Sequence, residues 1–305
     1  MTSLSSLRRK VAYAGRHFTP TWKYGFNYRA TLAYRKTRPQ LDGEAARVLD
    51  ELNRHGIAIT SVARLLGENA CYAELEKNVE QLEQTHAAQI AAERASADRY
   101  DPQRKSFIVH LLGSRPTLDP ASPFVRFPLQ QPILNIANEY FGMYTCLRFY
   151  DVWHTLRTQG EARESQLWHY DREDHLILKI FLYLSDVDEG AGPFTYAPGT
   201  HEKGTIKTHP PGFLENGVNR VRDEDMAQVV PAAQWIKAMG ARGTLVFADT
   251  RGYHRGGLAR ERDRILYNCM FTSPTSQVSE HFARPPTMAL PDDPAAALAL
   301  TYRRC

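Results

Sequence analysis

Two histidines and an aspartate are the residues best suited to carry chemistry. His169 and Asp171 are two residues apart in SQLWHYDREDHLILKIFLYL, immediately before an apolar run of β character. Residues i and i+2 of a strand point to the same side, so these two side chains converge on one point; in a helix they would diverge. His254, in LVFADTRGYHRGG, follows another apolar strand-like run and supplies a third group.

Two imidazoles and one carboxylate predict a metal site. This ligand set leaves three coordination positions open, which suits an iron(II) ion that must also bind a cosubstrate and dioxygen. Zinc hydrolysis fits less well, because the sequence contains no HExxH motif. An HxD pair is a frequent chance match, so its context has to decide.

The elements that must position these residues change character along the chain. Asp42 is placed to cap a helix, EAARVLDELNRHG, that Gly56 ends, and a short strand, IAITSV, follows. Apolar residues at helical spacing predict one amphipathic helix over 70–95. Beyond Pro102, short β-like runs are separated by turn signals, with one helix over about Gln131–Tyr140. The sequence therefore predicts a mainly β protein with N-terminal helices (α+β), built as an antiparallel sandwich or barrel.

This pattern predicts a single domain over residues 41–305. We expect a helical part over 41–100 and a β core over about 105–285. Residues 201–240 are rich in Pro, Gly and charge, and they are expected to form a lid-like insertion between two strands.

The first 40 residues differ from the rest of the chain. They carry nine Lys or Arg, no Asp or Glu, and seven aromatic residues. Such an arm could contact nucleic acid, an anionic membrane or an acidic or lipid-linked substrate. The favoured interpretation is a solubilising arm whose aromatic side chains pack on the domain, and nucleic acid is not an expected partner.

Composition predicts a cytoplasmic protein. No run approaches the roughly 18 apolar residues of a transmembrane helix, and the N-terminus lacks the apolar block of a secretory signal. The four cysteines show no CxxC spacing and are expected to be free thiols.

Residues 140 to 275 resemble the phytanoyl-CoA dioxygenase family of iron(II)/2-oxoglutarate oxygenases. The resemblance rests on WHYD, the turn GAGPF leading to YAPGTH, the strand GTLVFAD, the HRGG around the distal histidine, and an arginine in the last strand. It implies a double-stranded β-helix (jelly-roll, cupin-like) core, with His169, Asp171 and His254 as iron ligands, and 2-oxoglutarate and O2 as cosubstrates. Related halogenases replace the carboxylate with a small residue, so Asp171 implies hydroxylation.

A buried distal carboxylate of 2-oxoglutarate needs a cation, and the planar fork of arginine suits it. Arg264 lies ten residues after His254, near the family's usual placement. Strand alternation puts Asn268 on the same face as a second polar group. Arg262 has the same parity, so alternation leaves both arginines open; the resemblance favours Arg264.

Four further residues are candidates for the substrate pocket. His175 either lines it or forms a hydrogen bond at a strand end, and Trp168 either covers the metal or packs in the core. Lys179 is either a polar group inside the cavity or, as favoured, a snorkelling edge residue. Arg255, with Arg157, Arg172 and Arg251, hints at an anionic substrate.

The expected activity is hydroxylation of an unactivated C–H bond of a small-molecule metabolite, with release of succinate and CO2. The alternative is a catalytically silent protein of the same fold that binds an anionic surface through residues 1–40. Neither the substrate nor the oligomeric state follows from the sequence.

Overall fold

Two antiparallel sheets form the centre of the molecule. The computed structural model describes residue 15 and residues 18–99, 105–215 and 219–301. Within these ranges a six-stranded sheet has the order β1-β7-β4-β9-β3-β2, and a three-stranded sheet has the order β6-β5-β8. The strands are β1 Ile57–Ser61, β2 Ile108–His110, β3 Cys146–Thr155, β4 Leu178–Tyr183, β5 Phe194–Tyr196, β6 Ile236–Ala238, β7 Thr244–Asp249, β8 His254–Arg255 and β9 Arg264–Thr272.

Most helices flank the large sheet on the side away from the small one, whereas the short helix Asp223–Met226 packs around Trp168. Their bounds are α1 Thr21–Phe26 (a π-helix), α2 Tyr28–Thr37, α3 Gly43–His55, α4 Val62–Leu66, α5 Ala70–Thr85, α6 Ala87–Arg94, α7 Pro123–Arg126, α8 Gln131–Phe141, α9 Asp223–Met226 and α10 Pro294–Thr301. No helix of the described residues is long and apolar enough to cross a membrane.

Alternation along the central strands explains why the large sheet has two different faces. On β4, Leu178, Ile180 and Leu182 pack into the cluster shared with the helices. The intervening Phe181 and Tyr183 pack into a second cluster with residues of β5 and β6. The small sheet therefore covers one face of the large sheet and the helices cover the other.

Most predicted elements are confirmed. Each β-like run contains a strand, α8 matches the helix predicted after Gln131, and α3 ends at Gly56, which has a φ of 80°. Asp42 occupies the N-cap position, but its side chain makes no capping hydrogen bond. The helix predicted over 70–95 is two helices, because the backbone of His86 has a ψ of 8° and leaves the helical conformation.

The segment 201–240, predicted to be a lid-like insertion, also contributes to the small sheet and to the core. Its last residues form β6, which pairs with β5 in the small sheet, and Val221 pairs with Trp168 through an isolated bridge. Met226 and Val230 are buried in a cluster around Trp168. Residues 216–218 lie outside the described ranges.

The described part of the N-terminal arm packs partly on the domain. Trp22 is 1% exposed and its indole N–H donates to Asp174 at 2.9 Å. The hydroxyl of buried Tyr34 donates to Glu139 at 2.6 Å. Four aromatic side chains remain exposed on the arm, at 39–60% of their area: Phe18, Tyr24, Phe26 and Tyr28. Tyr13 and the cationic residues before it lie outside the described residues.

An ionic network centred on the buried His154 joins the β core to α5 and α6. His154 on β3 lies 2.7 Å from Asp263 and 3.3 Å from Glu83 of α5, and Arg94 of α6 pairs with Asp263 at 2.5 Å. Burial alone would lower the pKa of His154, but its two carboxylate partners raise that pKa to about 8.

The folded-state pKa of His154 exceeds its ordinary value of 6.5, so its stabilising effect is full below pH 6.5 and is lost as pH rises through 8. We expect His154→Gln to lower the free energy of unfolding by about 2 kcal/mol at pH 6. The loss should be much smaller at pH 9. Urea unfolding at both pH values, with Asp263→Asn as a second variant, measures it; equal losses at the two pH values would contradict the network.

Candidate metal centre

The three residues singled out from the sequence come together at the edge of the small sheet. One possible ligand atom from each of His169, Asp171 and His254 lies within 4.8 Å of the others, an arrangement that could hold a metal ion. The two imidazole ring centroids are 4.4 Å apart. His254 is 4% exposed and His169 is 9% exposed.

Backbone hydrogen bonds bring these residues together. The N–H of His169 donates to the carbonyl of His254 at 3.0 Å, and the reverse bond is 2.9 Å long. The N–H of Asp171 donates to the carbonyl of Thr250 at 2.8 Å. His169 and Asp171 lie outside the regular strands, in an extended segment that pairs through isolated bridges. The single strand expected for this pair is therefore wrong, although the extended backbone still directs both side chains to one point.

Both histidines expose the same ring nitrogen. His169 donates its Nδ1 proton to the carbonyl of Leu167 at 2.8 Å, and His254 donates its Nδ1 proton to Gly252 at 3.0 Å. These contacts leave each Nε2 with a free lone pair, as metal ligation requires. The chemistry of the donor set thus fits a divalent transition metal.

The protonation states also suit a metal. Burial lowers the pKa of His254 to about 4 and holds the pKa of His169 well below its usual range, the latter with help from the neighbouring His254. Burial alone would raise the pKa of Asp171, but Lys179 and the two histidines hold it well below normal. At neutral pH the site presents two neutral imidazoles and a carboxylate.

The turn between β7 and β8 depends on close packing. Asp249 is fully buried; it accepts a 2.6 Å hydrogen bond from Tyr140 of α8, and its carbonyl accepts one from Tyr196 at 2.7 Å. A Cβ on Gly252 would lie 1.9 Å from the Tyr196 hydroxyl oxygen, and one on Gly257 would lie 2.2 Å from Pro193. Glycine is therefore needed at both positions to seat the HRGG segment.

The possible ligands open into a cavity of about 270 Å³ between the two sheets. Arg264 of β9 and Lys179 of β4 line it, with Leu266 beside Arg264. Arg264 is 5% exposed, and its Nε and Nη1 have no hydrogen-bond partner among the described residues. Burial lowers the pKa of Arg264. An unpaired buried guanidinium is costly, so this side chain is arranged for an anionic ligand.

Arg262 and Asn268 do not line this cavity. The Arg262 side chain is 53% exposed and pairs with Asp188 at 2.9 Å. Asn268 is fully buried and donates to the carbonyl of Asp151 at 3.4 Å, while its Oδ1 has no partner in the described structure. Alternation along β9 could not separate the two arginines, because the strand begins at Arg264 and Arg262 lies in the preceding turn.

Lys179 points into the cavity, so the favoured interpretation as a snorkelling edge residue is wrong. Its Nζ lies 2.7 Å from Asp171 Oδ2. The neighbouring strands β7 and β9 cover both edges of β4, so Lys179 has no sheet edge to snorkel along. The carboxylate of Asp171 offsets part of the cost of burying its charge.

Three other pocket candidates lie elsewhere. His175 is 1% exposed, contacts the Trp22 ring at a centroid distance of 4.8 Å and lies 2.9 Å from the Thr19 hydroxyl. Trp168 is fully buried against Trp235 under the 201–240 segment. Arg255 lies over the Trp168 ring and pairs with Asp223 at 3.1 Å. Neighbours along the chain point to opposite sides of extended backbone, which carries Trp168 and Arg255 away from the cavity.

The other arginines that hinted at an anionic substrate are also engaged elsewhere. Arg172 and Arg251 both lie over the ring of Tyr170. The backbone N–H of Arg157 donates to Asp263 at 2.9 Å. None of the three lines the cavity.

Several cavity residues were missed from the sequence. Strand alternation could have identified Phe181, because it lies on the same strand face as Lys179. Phe194 contacts both Phe181 and His254. Lys105 and Arg220 also line the cavity, but they lie in irregular segments where no periodicity marks them.

Comparisons with known proteins establish the fold. No family model and no curated protein matches the sequence. The structure of EctD from S. alaskensis with bound Fe has a TM-score of 0.53 and 16% identity, covering 81% of this chain and 84% of that chain. The structure of the same protein with 2-oxoglutarate and 5-hydroxyectoine has a TM-score of 0.51 and 17% identity, covering 86% and 93%. The epimerase SnoN, in complex with Fe3+, alpha ketoglutarate and nogalamycin RO, has a TM-score of 0.51 and 15% identity, covering 78% and 86%.

The chain therefore has the mixed helix and antiparallel-sheet fold of these cupin-like structures. The identities are 17% or lower, so the similarity shows the fold alone. Membership of the phytanoyl-CoA dioxygenase family stays a prediction from the motifs.

The ion pair between Lys179 and Asp171 leads to a prediction about metal binding. Lys179→Met removes an ammonium group that would repel a metal cation bound at Asp171. Like charges a few ångströms apart repel by on the order of 1 kcal/mol or more near a protein surface, so the variant should bind Mn²⁺ roughly tenfold more tightly. Calorimetric titration of both proteins measures the change. Weaker binding by the variant would instead mean that Lys179 is needed to orient Asp171.

Proposed function

We propose that this chain is an iron(II)- and 2-oxoglutarate-dependent dioxygenase that hydroxylates an unactivated C–H bond of a small-molecule metabolite. One observation carries the proposal. A single cavity contains the group His169, Asp171 and His254, with both Nε2 atoms free, together with the buried and unpaired Arg264. An open metal site and a cation for a diacid are the two features that this chemistry requires of a protein.

The strand order supports assigning the core as a double-stranded β-helix. Following the chain from β4, strands alternate between the large sheet and the small one, except where β5 is followed by its neighbour β6. The bridge between His169 and His254 adds a fourth extended segment to the small sheet beside β8. Two facing antiparallel sheets are what a jelly roll requires, and this arrangement supports the proposed assignment.

Each residue has a defined task in the proposed reaction. His169, Asp171 and His254 would hold iron(II), which supplies activation of O2 coupled to oxidative decarboxylation of 2-oxoglutarate to succinate and CO2. Arg264 would pair with the distal carboxylate and so orient the cosubstrate. Phe181, Phe194 and Leu266 line the same cavity and limit the access of water. One oxygen atom of O2 enters succinate and the other enters the hydroxylated product.

Structures of the same fold support these cofactors, because EctD is described with bound Fe and with 2-oxoglutarate, and SnoN with Fe3+ and alpha ketoglutarate. The fold accommodates other outcomes, since SnoN is an epimerase. Halogenation would require a small residue in place of the carboxylate, and this chain has Asp171 at that position. Hydroxylation is therefore proposed over halogenation.

Turnover of 2-oxoglutarate tests the proposal. With Fe(II), ascorbate and O2, the wild-type protein should form succinate even without its substrate, at the slow rate of an uncoupled reaction. His169→Ala should lower this rate by roughly a hundredfold or more, because it removes a ligand. His55→Ala, which removes an exposed histidine at the end of α3, is the matched control and should retain the wild-type rate.

The alternative function is a catalytically silent protein that binds an anionic surface. The exposed aromatic side chains of the arm favour it, because Tyr28 and Tyr24 lie beside the cations Arg29 and Arg35. Aromatic and basic groups together suit a membrane interface. Absence of both iron binding and succinate formation in the wild-type protein would favour this alternative.

The cosubstrate anchor has its own test. Arg264→Met should weaken 2-oxoglutarate binding to the Fe(II) protein by roughly tenfold to a hundredfold, the range for losing a charge-assisted hydrogen-bonded pair. Arg262→Met, on the exposed turn nearby, is the matched control and should bind normally. Anaerobic titration measures both affinities, and an unchanged affinity in Arg264→Met would refute the assignment.

A further inference from the structure

The cavity contains more positive charge than the proposed metal and cosubstrate would neutralise. Four cations line it, namely Lys105, Lys179, Arg220 and Arg264, against two carboxylates, Asp171 and Glu173. Iron(II) would add two positive charges and 2-oxoglutarate two negative ones. A formal excess of two positive charges would therefore remain.

Two of the four cations are already accounted for. Lys179 pairs with Asp171 at 2.7 Å, and Arg264 is the proposed anchor of 2-oxoglutarate. The side chains of Lys105 and Arg220 form no hydrogen bond or ion pair with any of the described residues. The Nζ of Lys105 lies 5.9 Å from the centre of the Trp153 ring. Glu164 and Asp171 attract both cations at longer range.

Lys105 and Arg220 reach the cavity from different elements than Arg264 does. Lys105 lies just before β2, the outermost strand of the large sheet beyond β3, and Arg220 lies beside Val221, which pairs with Trp168. Arg220 is close enough to lower the pKa of both His169 and His254. Arg264 instead has Tyr183 as its titratable neighbour. The cavity thus contains Lys105 and Arg220 in addition to the two cations already accounted for.

The pair of cations Lys105 and Arg220 is energetically unfavourable without an anion. Burial, together with repulsion from Lys179 and Arg220, lowers the pKa of Lys105 to about 8. Burial also lowers the pKa of Arg220. Like charges kept partly buried without a counter-ion cost free energy that a bound anion would recover.

We propose that Lys105 and Arg220 form a substrate subsite that binds a carboxylate or phosphate group, with an apolar part of the substrate lying along the cavity wall. This inference rests on the proposed function, which assigns Arg264 to 2-oxoglutarate. Phe107, Ile108 and Trp153 line the wall near Lys105 and suit a hydrocarbon chain or ring. The substrate class is therefore a small amphiphilic acid.

Three six-carbon probes test the subsite in the anaerobic protein loaded with Fe(II) and 2-oxoglutarate. Titration calorimetry with hexanoate, hexyl phosphate and neutral hexanol should show binding of at least one acid and binding of hexanol that is at least roughly tenfold weaker. Whichever of hexanoate and hexyl phosphate binds more tightly identifies the anionic group that the subsite prefers. Binding of neither acid to the wild-type protein, or equal binding of hexanol, would overturn the inference.

Variants locate the binding. Lys105→Met and Arg220→Gln should each weaken binding of the acid by roughly tenfold or more, Arg220→Lys should retain most of it, and the exposed Arg262→Gln should leave it unchanged. Thermal unfolding checks that each variant is folded. Unchanged binding in both Lys105→Met and Arg220→Gln would refute the subsite.

Failure of this inference is distinguishable from failure of the proposed function. Titration of 2-oxoglutarate into the same variants should give wild-type affinity for Lys105→Met and Arg220→Gln, and weak binding for Arg264→Met. If the reverse is found, Lys105 and Arg220 anchor 2-oxoglutarate, and the subsite for substrate is refuted. If 2-oxoglutarate does not bind the wild-type protein at all, the proposed function fails, and titration of the acids into the protein without it still tests the two cations.

Discussion

His169 and His254 exchange both of their backbone hydrogen bonds, and their imidazoles approach each other only because the edge of the small sheet closes in this way. Asp171 joins them through the carbonyl of Thr250, in the turn whose buried Asp249 is held by Tyr140 and Tyr196. The position of the Asp171 carboxylate is therefore set by three elements. They are a helix, a strand of the small sheet and the turn that follows the large sheet. Since unpaired buried polar groups cost free energy, these hydrogen bonds determine the local geometry.

Burial then sets the electrostatics of the site. It lowers the pKa of His254 and of the cavity cations Lys105 and Arg264, because a low-dielectric environment disfavours charge. The same environment strengthens any interaction of these cations with an anion. A cavity that contains the possible metal ligands, the unpaired Arg264 and the further cations Lys105 and Arg220 is consistent with two separate anionic ligands.

The sequence predicted the parts of the fold that depend on local pattern. Alternation identified the strands and the two faces of β4, and Gly56 marked the end of α3. Helical periodicity failed to find the break at His86, because that change in ψ carries no Gly or Pro signal. For Lys179, alternation gave the correct face but not its environment, since only the neighbouring strands show that β4 is central.

The sequence by itself determined which residue types were available at the site: the HxD pair, the distal histidine, and an arginine at the start of the last strand. Local spacing is sufficient for the HxD pair because side-chain direction follows backbone conformation over two or three residues. The choice of the arginine rested on the family resemblance. The tertiary structure decided which of them share a cavity. It separated Arg264 from Arg262, removed Trp168, His175 and Arg255 from the cavity, and added Lys105 and Arg220 from distant irregular segments. Contacts between residues far apart in the chain depend on how the two sheets pack, and no local period encodes that packing.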